Sequence, residues 1–204
     1  MRIKQTMNTG GSVLHQTKND FINSWHIPEY ICDAILEFYE SNPQWRHVGT
    51  VNTGQSWEEA KKSTDISIAC DNFAQPFQDY REHLQKCLEY YIEAYPKVNT
   101  LERFDIVEPY NIQHYKKGEG FKKEHFERSG TNDFTVKRCL VFMTYLNDLD
   151  AGGTIFPYQN RTVKASKGKT VIFPADWTHT HVGQISKTQE KTIVTGWYSY
   201  LWEE

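Results

Sequence analysis

From Pro76 the chain places Phe77, Tyr80, Leu84, Cys87, Leu88, Tyr91 and Tyr95 at three- and four-residue steps and then meets Pro96. That spacing gathers one apolar stripe on a helix. The closing proline disfavours helical backbone in the residue before it and so ends the element. An earlier helix is predicted from Pro28, a proline suited to the first helical position, to about Tyr39, with Ile31, Ala34, Ile35 and Phe38 as its buried stripe. Between the two, the stretch 48–68 is rich in Gly, Ser, Thr and Lys, keeps no period, and reads as a loop with short strands.

After about residue 100 the pattern changes to short β-rich runs separated by Gly, Asp and Pro turns. They cover 106–115, 122–127, 137–146, 153–157, 161–165, 169–174 and 191–201, with one more near His181. Seven or eight short strands and no ordinary helix predict a sandwich or barrel. The aromatic content, 14% with six Trp and twelve Tyr, also suits a β-rich core. No hinge divides the chain, so 1–204 reads as one domain: a helical support region over 1–100 and a β core over 101–204, the helices packing outside. The fold class predicted is mainly β with flanking helices.

Charge narrows the partners. A formal net charge of −3 leaves no basic footprint for a phosphate backbone, so nucleic acid is not expected. The polar stretch 1–20 lacks the apolar core of a secretory signal and no apolar run is long enough to span a bilayer, which predicts a cytoplasmic protein without a membrane partner. Cys32, Cys70, Cys87 and Cys139 show no CxxC spacing and read as reduced core thiols.

The candidate chemistry begins at Glu124-His125-Phe126-Glu127, where residues two apart on a strand share a face, so an imidazole and a carboxylate can converge. A third ligand is offered by Thr178-His179-Thr180-His181, with His179 and His181 both eligible. One His-x-carboxylate pair and one distant histidine make up the two-His-one-carboxylate facial triad. Alone the pair is weak evidence, since most such pairs are solvated surface groups. Downstream, Lys191 opens a run in which alternation puts Lys191, Ile193, Thr195 and Trp197 on one face. A lysine among apolar inward neighbours is costly unless an anion pairs with it, although at a strand end it can also reach water.

Three blocks then occur in order: His114-Tyr115-Lys116-Lys117-Gly118-Glu119-Gly120 before the His-x-Glu; Tyr145-Leu146-Asn147-Asp148 running into Gly152-Gly153-Thr154-Ile155-Phe156-Pro157; and His181-Val182-Gly183 with Lys191 and Trp197. In these the stretch from Asp105 to Trp202 resembles the prolyl 4-hydroxylase-like Fe(II)/2-oxoglutarate-dependent dioxygenases. The resemblance implies a double-stranded β-helix (jelly-roll) core braced by the N-terminal helices. It also implies iron ligands at His125, Glu127 and His181, the last favoured over His179 by its spacing to Lys191. Lys191 would pair with the far carboxylate of 2-oxoglutarate, Tyr145 and Thr154 would assist there, and Tyr115 would lie beside the co-substrate. Alternation also turns Asn111 and Gln113 inward, where they could face substrate. Most members carry aspartate where this chain has Glu127, which offers the same donor one methylene further out; a halogenase would have a small residue there.

The implied reaction is oxidative decarboxylation of 2-oxoglutarate coupled to hydroxylation of a C–H bond, with ascorbate as reductant. A prolyl residue of a peptide or protein is the first substrate reading, with a free amino acid or other small molecule as the alternative. The segments 50–68 and 128–134 are placed to contact it. A non-enzymatic metal-binding jelly-roll would have no use for Lys191 and Tyr145. A nucleobase-demethylating oxygenase would call for a basic surface and an arginine anchor.

Overall fold

The computed structural model describes residues 19–50, 59–100, 102–130 and 132–201. His15, most of the loop following Thr50, and Trp202 lie outside the described residues. In chain order the elements are β1 (Asn23–His26), α1 (Glu29–Ser41), β2 (His47–Val48), β3 (Lys61–Lys62), β4 (Thr64–Ile68) and α2 (Phe77–Ala94). There follow β5 (Phe104–Asp105), β6 (Tyr110–Tyr115), β7 (Gly120–Phe121), β8 (Arg138–Tyr145), β9 (Thr154–Phe156), β10 (Arg161–Val163), β11 (Lys169–Pro174), β12 (Val182–Gly183) and β13 (Lys191–Tyr200). The large sheet runs β1-β11-β8-β13-β6-β4-β2, with β5 joined to β13; β10-β9-β12 forms a small sheet and β3-β7 a pair. This mainly β architecture with two bracing helices is the jelly-roll arrangement predicted.

Alternation sorts the large sheet into two faces. Leu140, Phe142, Ile172, Val194 and Tyr198 pack against the helices, with Tyr80, Leu84, Leu88 and Tyr91 of α2. Val141, Met143, Tyr145, Val171, Phe173 and Ile193 face the other way, towards Phe156 and Val163 of the small sheet. Central β8 is buried along its whole length, because helices cover one face and the small sheet the other. A buried polar chain crosses the helix side: the Tyr80 hydroxyl meets Thr144 Oγ1 at 3.0 Å, and Thr144 meets Thr170 Oγ1 at 2.8 Å. Gly196 is required where β13 passes under aromatic rings, since a Cβ there would overlap the Phe142 ring and lie 2.6 Å from Tyr110 Cβ.

Three sequence expectations change. The buried stripe of α1 holds Ile31 and Ile35 as expected but is completed by Cys32 and Tyr39, while Ala34 and Phe38 are only half-buried, Phe38 at the edge of the core. The helix is rolled so that Tyr39 can stack on His114 and donate to the Thr64 carbonyl. The region read as helical support also contributes β1, β4 and β2 to the large sheet. β4 alternates visibly, with Ile66 and Ile68 in the helix-side core, whereas β1 is four residues of edge pairing. The strand expected over 122–127 does not form: β7 ends before it at Phe121, and within it only a single bridge joins His125 to His181. Its main chain is shared among three neighbours: Lys122 N–H donates to Ala60, His125 to His181, and Glu127 to Ala175.

Candidate metal centre and active site

The bridge orders what the missing strand does not. His125 and His181 exchange main-chain hydrogen bonds at 3.0 and 2.9 Å, which sets their rings 4.4 Å apart on one side. Glu127, two residues on, returns its carboxylate to them: Oε1 lies 3.4 Å from His125 Nε2 and 3.7 Å from His181 Nε2. The three donor atoms all lie within 4.8 Å of one another. Each histidine commits its Nδ1 to a backbone carbonyl, His125 to Lys123 at 2.9 Å and His181 to His179 at 3.0 Å. With Nδ1–H donating, the lone pair is on Nε2, the tautomer a metal needs.

The electrostatics agree. Burial, then the neighbouring His125, pushes His181 down to about 4 against the pull of Glu127, so its imidazole is neutral at neutral pH. Burial opposes ionisation of Glu127, but the hydrogen bond and charge of His125, with Arg138 and His181, outweigh it and hold the carboxyl well below the usual range. An anionic carboxylate oxygen and two imidazole Nε2 atoms, spaced a little wider than the cis donors of a loaded site, fit a divalent cation such as Fe(II).

The other oxygen of Glu127 is also held. Oε2 accepts from Trp197 Nε1 at 3.1 Å and from Arg138 Nη1 at 3.3 Å. Arg138 is fixed by a two-point pair with Glu108, at 2.8 and 2.7 Å, and lies 3.5 Å over the Trp197 ring. Sequence reasoning placed Trp197 in a motif and on the same strand face as Lys191 without giving it a part at the cluster, and missed Arg138 and Glu108. The one available signal was a charged residue opening the otherwise apolar strand β8.

A cavity of about 960 Å³ contains His125, Glu127 and His181 in its wall together with Tyr115, Thr154 and Lys191. Lys191 is 5% exposed, its Nζ 3.3 Å from the Gly152 carbonyl and 4.9 Å from the centre of the Tyr115 ring. Burial lowers it to about 8. Among the described residues no carboxylate lies within ion-pair distance of it. Tyr145 is buried and not part of the cavity lining; its hydroxyl meets Thr154 Oγ1 at 2.7 Å, so it can act on the cavity only through Thr154. The Tyr115 hydroxyl donates to Gln113 Oε1 at 2.7 Å. His179 is turned away, its Nε2 against the Asp20 carbonyl and its Nδ1 against Thr178 Oγ1. His114 faces the helix side, bonded to Thr192.

The sequence model of the 2OG-Fe(II) oxygenase superfamily matches residues 110–199, the stretch that carries every one of these cavity groups. Within the β core, residues 110–199 thus resemble a 2OG-Fe(II) oxygenase. Solved structures of the same fold include a viral collagen prolyl hydroxylase from Paramecium bursaria Chlorella virus-1 in complex with 2OG. Its TM-score is 0.64 at 16% identity, covering 89% of this chain and 97% of that one. A Pseudomonas putida prolyl-4-hydroxylase matches at TM-score 0.64 and 16% identity, over 89% and 94% of the two chains. A Trichoplax adhaerens prolyl hydroxylase, in complex with a peptide fragment of the hypoxia inducible factor oxygen degradation domain, gives the same score and identity over 89% and 84%. A search of curated proteins returns no match. Iron and 2-oxoglutarate are therefore the cofactor and co-substrate of the oxygenase. No helix among the described residues is long and apolar enough to cross a membrane.

Proposed function

We propose that this oxygenase hydroxylates a prolyl residue of a peptide or protein, converting substrate, O2 and 2-oxoglutarate into hydroxylated substrate, succinate and CO2. In this reading the whole chain works as one unit, and His125 Nε2, His181 Nε2 and Glu127 Oε1 hold Fe(II). Bound there, the iron supplies the oxygen-activating chemistry. The residues do the rest. Three protein donors on one side leave the opposite side open to a chelating 2-oxo acid and O2. Trp197 and Arg138 keep Glu127 Oε2 turned outward, so the carboxylate offers one oxygen. Lys191 receives the far carboxylate of 2-oxoglutarate, Thr154 donates to it with its hydroxyl set by Tyr145, and Tyr115 walls the pocket. Phe121, Phe156 and Phe173 surround the two imidazoles with apolar rings, which limits water near them.

The observation that carries this reading is the buried, carboxylate-free ammonium of Lys191 in the same cavity as the His-Glu-His cluster. A binding module without a co-substrate would bear the cost of burying that charge for no return. The peptide part of the proposal is supported by the peptide-bound relative and by a cavity far larger than a five-carbon diacid needs. Ascorbate is proposed as the reductant that restores Fe(II) after turnovers without substrate.

The test is succinate formation against 2-oxoglutarate concentration for wild type and Lys191→Ala. A charged hydrogen bond is worth roughly 1.5–3 kcal/mol, so the apparent co-substrate constant should rise about ten- to a hundredfold. An unchanged constant would place the anchor elsewhere.

A further inference from the structure

Two amides in the cavity have no assigned work. Asn111 and Gln113 stand two residues apart on the inner face of β6, and both line the cavity. Each already has its oxygen engaged: the Ser67 hydroxyl donates to Asn111 Oδ1 at 2.7 Å, and the Tyr115 hydroxyl to Gln113 Oε1 at 2.7 Å. An amide whose oxygen is tied back presents its NH2 outward, and the two donors on each nitrogen have no hydrogen-bond partner among the described residues. The register fixes the arrangement, with Ser67 directly across from Asn111 on β4, and Gln113 and Asn111 across from Ile193 and Thr195 on β13. The pair therefore flanks the stretch of β13 between Lys191 and Trp197, beside the path from the anchor to the metal cluster.

Spacing says what such a pair can read. Residues two apart on a strand recur about every 6.7 Å, and so do the carbonyls that face one way along an extended peptide. In a polyproline II helix, with three residues per turn and 3.1 Å rise, carbonyls of one orientation recur only about every 9 Å. Two NH2 groups on one strand thus match alternate carbonyls of an extended chain and miss those of a polyproline helix. We infer that Asn111 and Gln113 form a main-chain ladder that holds the segment carrying the hydroxylation site in extended conformation, selecting against polyproline-like substrates. The inference rests on the prolyl-peptide reading above and adds to it the conformation the substrate must adopt.

The experiment uses the full chain with Fe(II), ascorbate and 2-oxoglutarate. Two pools of heptapeptides, each with a proline at the central position, are offered: one with β-branched flanks, one with further prolines in the flanks. Oxygen incorporation is read by mass, and succinate in parallel. The β-branched pool should be preferred by roughly tenfold or more in kcat/KM, about one unmade hydrogen bond at each amide. Asn111→Leu and Gln113→Leu, and the isosteric Asn111→Asp and Gln113→Glu, which keep shape but lose the donors, should each raise the KM of that pool by about fivefold or more. The 2-oxoglutarate KM should move much less. Preference for the proline-rich pool, or an unchanged peptide KM in the variants, overturns the inference while leaving the prolyl-peptide reading standing. A rise confined to the 2-oxoglutarate KM also overturns it, reassigning the amides to the co-substrate. If succinate forms but neither pool gains oxygen, the prolyl-peptide reading itself has failed and the inference falls with it.

Discussion

Replacing Trp197 with phenylalanine removes one donor from Glu127 Oε2 while keeping an aromatic ring in place. The indole bond is 3.1 Å, and what remains on that oxygen is the Arg138 contact at 3.3 Å. Two effects compete. Losing a donor leaves more negative charge on the carboxylate, which favours a cation; losing the constraint frees a side chain with three rotatable bonds to swing Oε1 away from the histidines. A hydrogen bond to a charged group is worth roughly 1.5–3 kcal/mol, and groups that orient metal ligands typically contribute 10–100-fold in affinity, so orientation should win. With Arg138 still present, the expected loss is about tenfold in Mn(II) or Co(II) affinity, measured by equilibrium dialysis without substrate or turnover. The ring stack on Arg138 also weakens, which lowers the melting temperature but does not by itself move the metal constant. The decisive comparison is the same substitution in a Glu127→Asp background. Aspartate is one methylene shorter and, with one oxygen kept at the cluster, its outer oxygen cannot reach the indole, so the second substitution should add little. Unchanged metal affinity in Trp197→Phe, or an equal loss in the aspartate background, would refute the argument that Trp197 acts through Oε2.

Three further outcomes follow from the same geometry. Because burial lowers Lys191 to about 8, the free enzyme loses the anchor's charge as pH rises through that value; the apparent 2-oxoglutarate constant should climb above pH 8, and a flat profile to pH 9.5, taken as about 1.5 units higher, would contradict it. His179→Ala should leave Mn(II) affinity within about twofold, since its ring nitrogens bond Asp20 and Thr178, while lowering thermal stability by roughly 1 kcal/mol; a large loss of metal binding would return His179 to the ligand set. Gly196→Ala forces a methyl group against Phe142 and Tyr110 and should destabilise the fold by about 1–3 kcal/mol in urea denaturation, and an unshifted midpoint would show that the sheet relaxes freely there.

Periodicity alone determined much of this protein. The apolar steps of α2 hold from Phe77 to Tyr91, and the alternation on β13 puts Lys191, Ile193 and Trp197 on the cavity side, because both patterns are set by local backbone geometry over a few residues. The convergence of His125, Glu127 and His181 was also legible, though for a different local reason than a strand: an isolated bridge does the work. Spacing to Lys191 already favoured His181 over His179, and tertiary structure supplies the physical reason, since His179 turns onto the Asp20 carbonyl 159 residues away. Tertiary structure alone brought Arg138 and Trp197 onto Glu127 across separations of 11 and 70 residues, and tied Asn111 to Ser67 across 44. A side-chain contact of that range leaves no period in the sequence, because what specifies it is the register between strands, and register is fixed only when the whole sheet closes around its core.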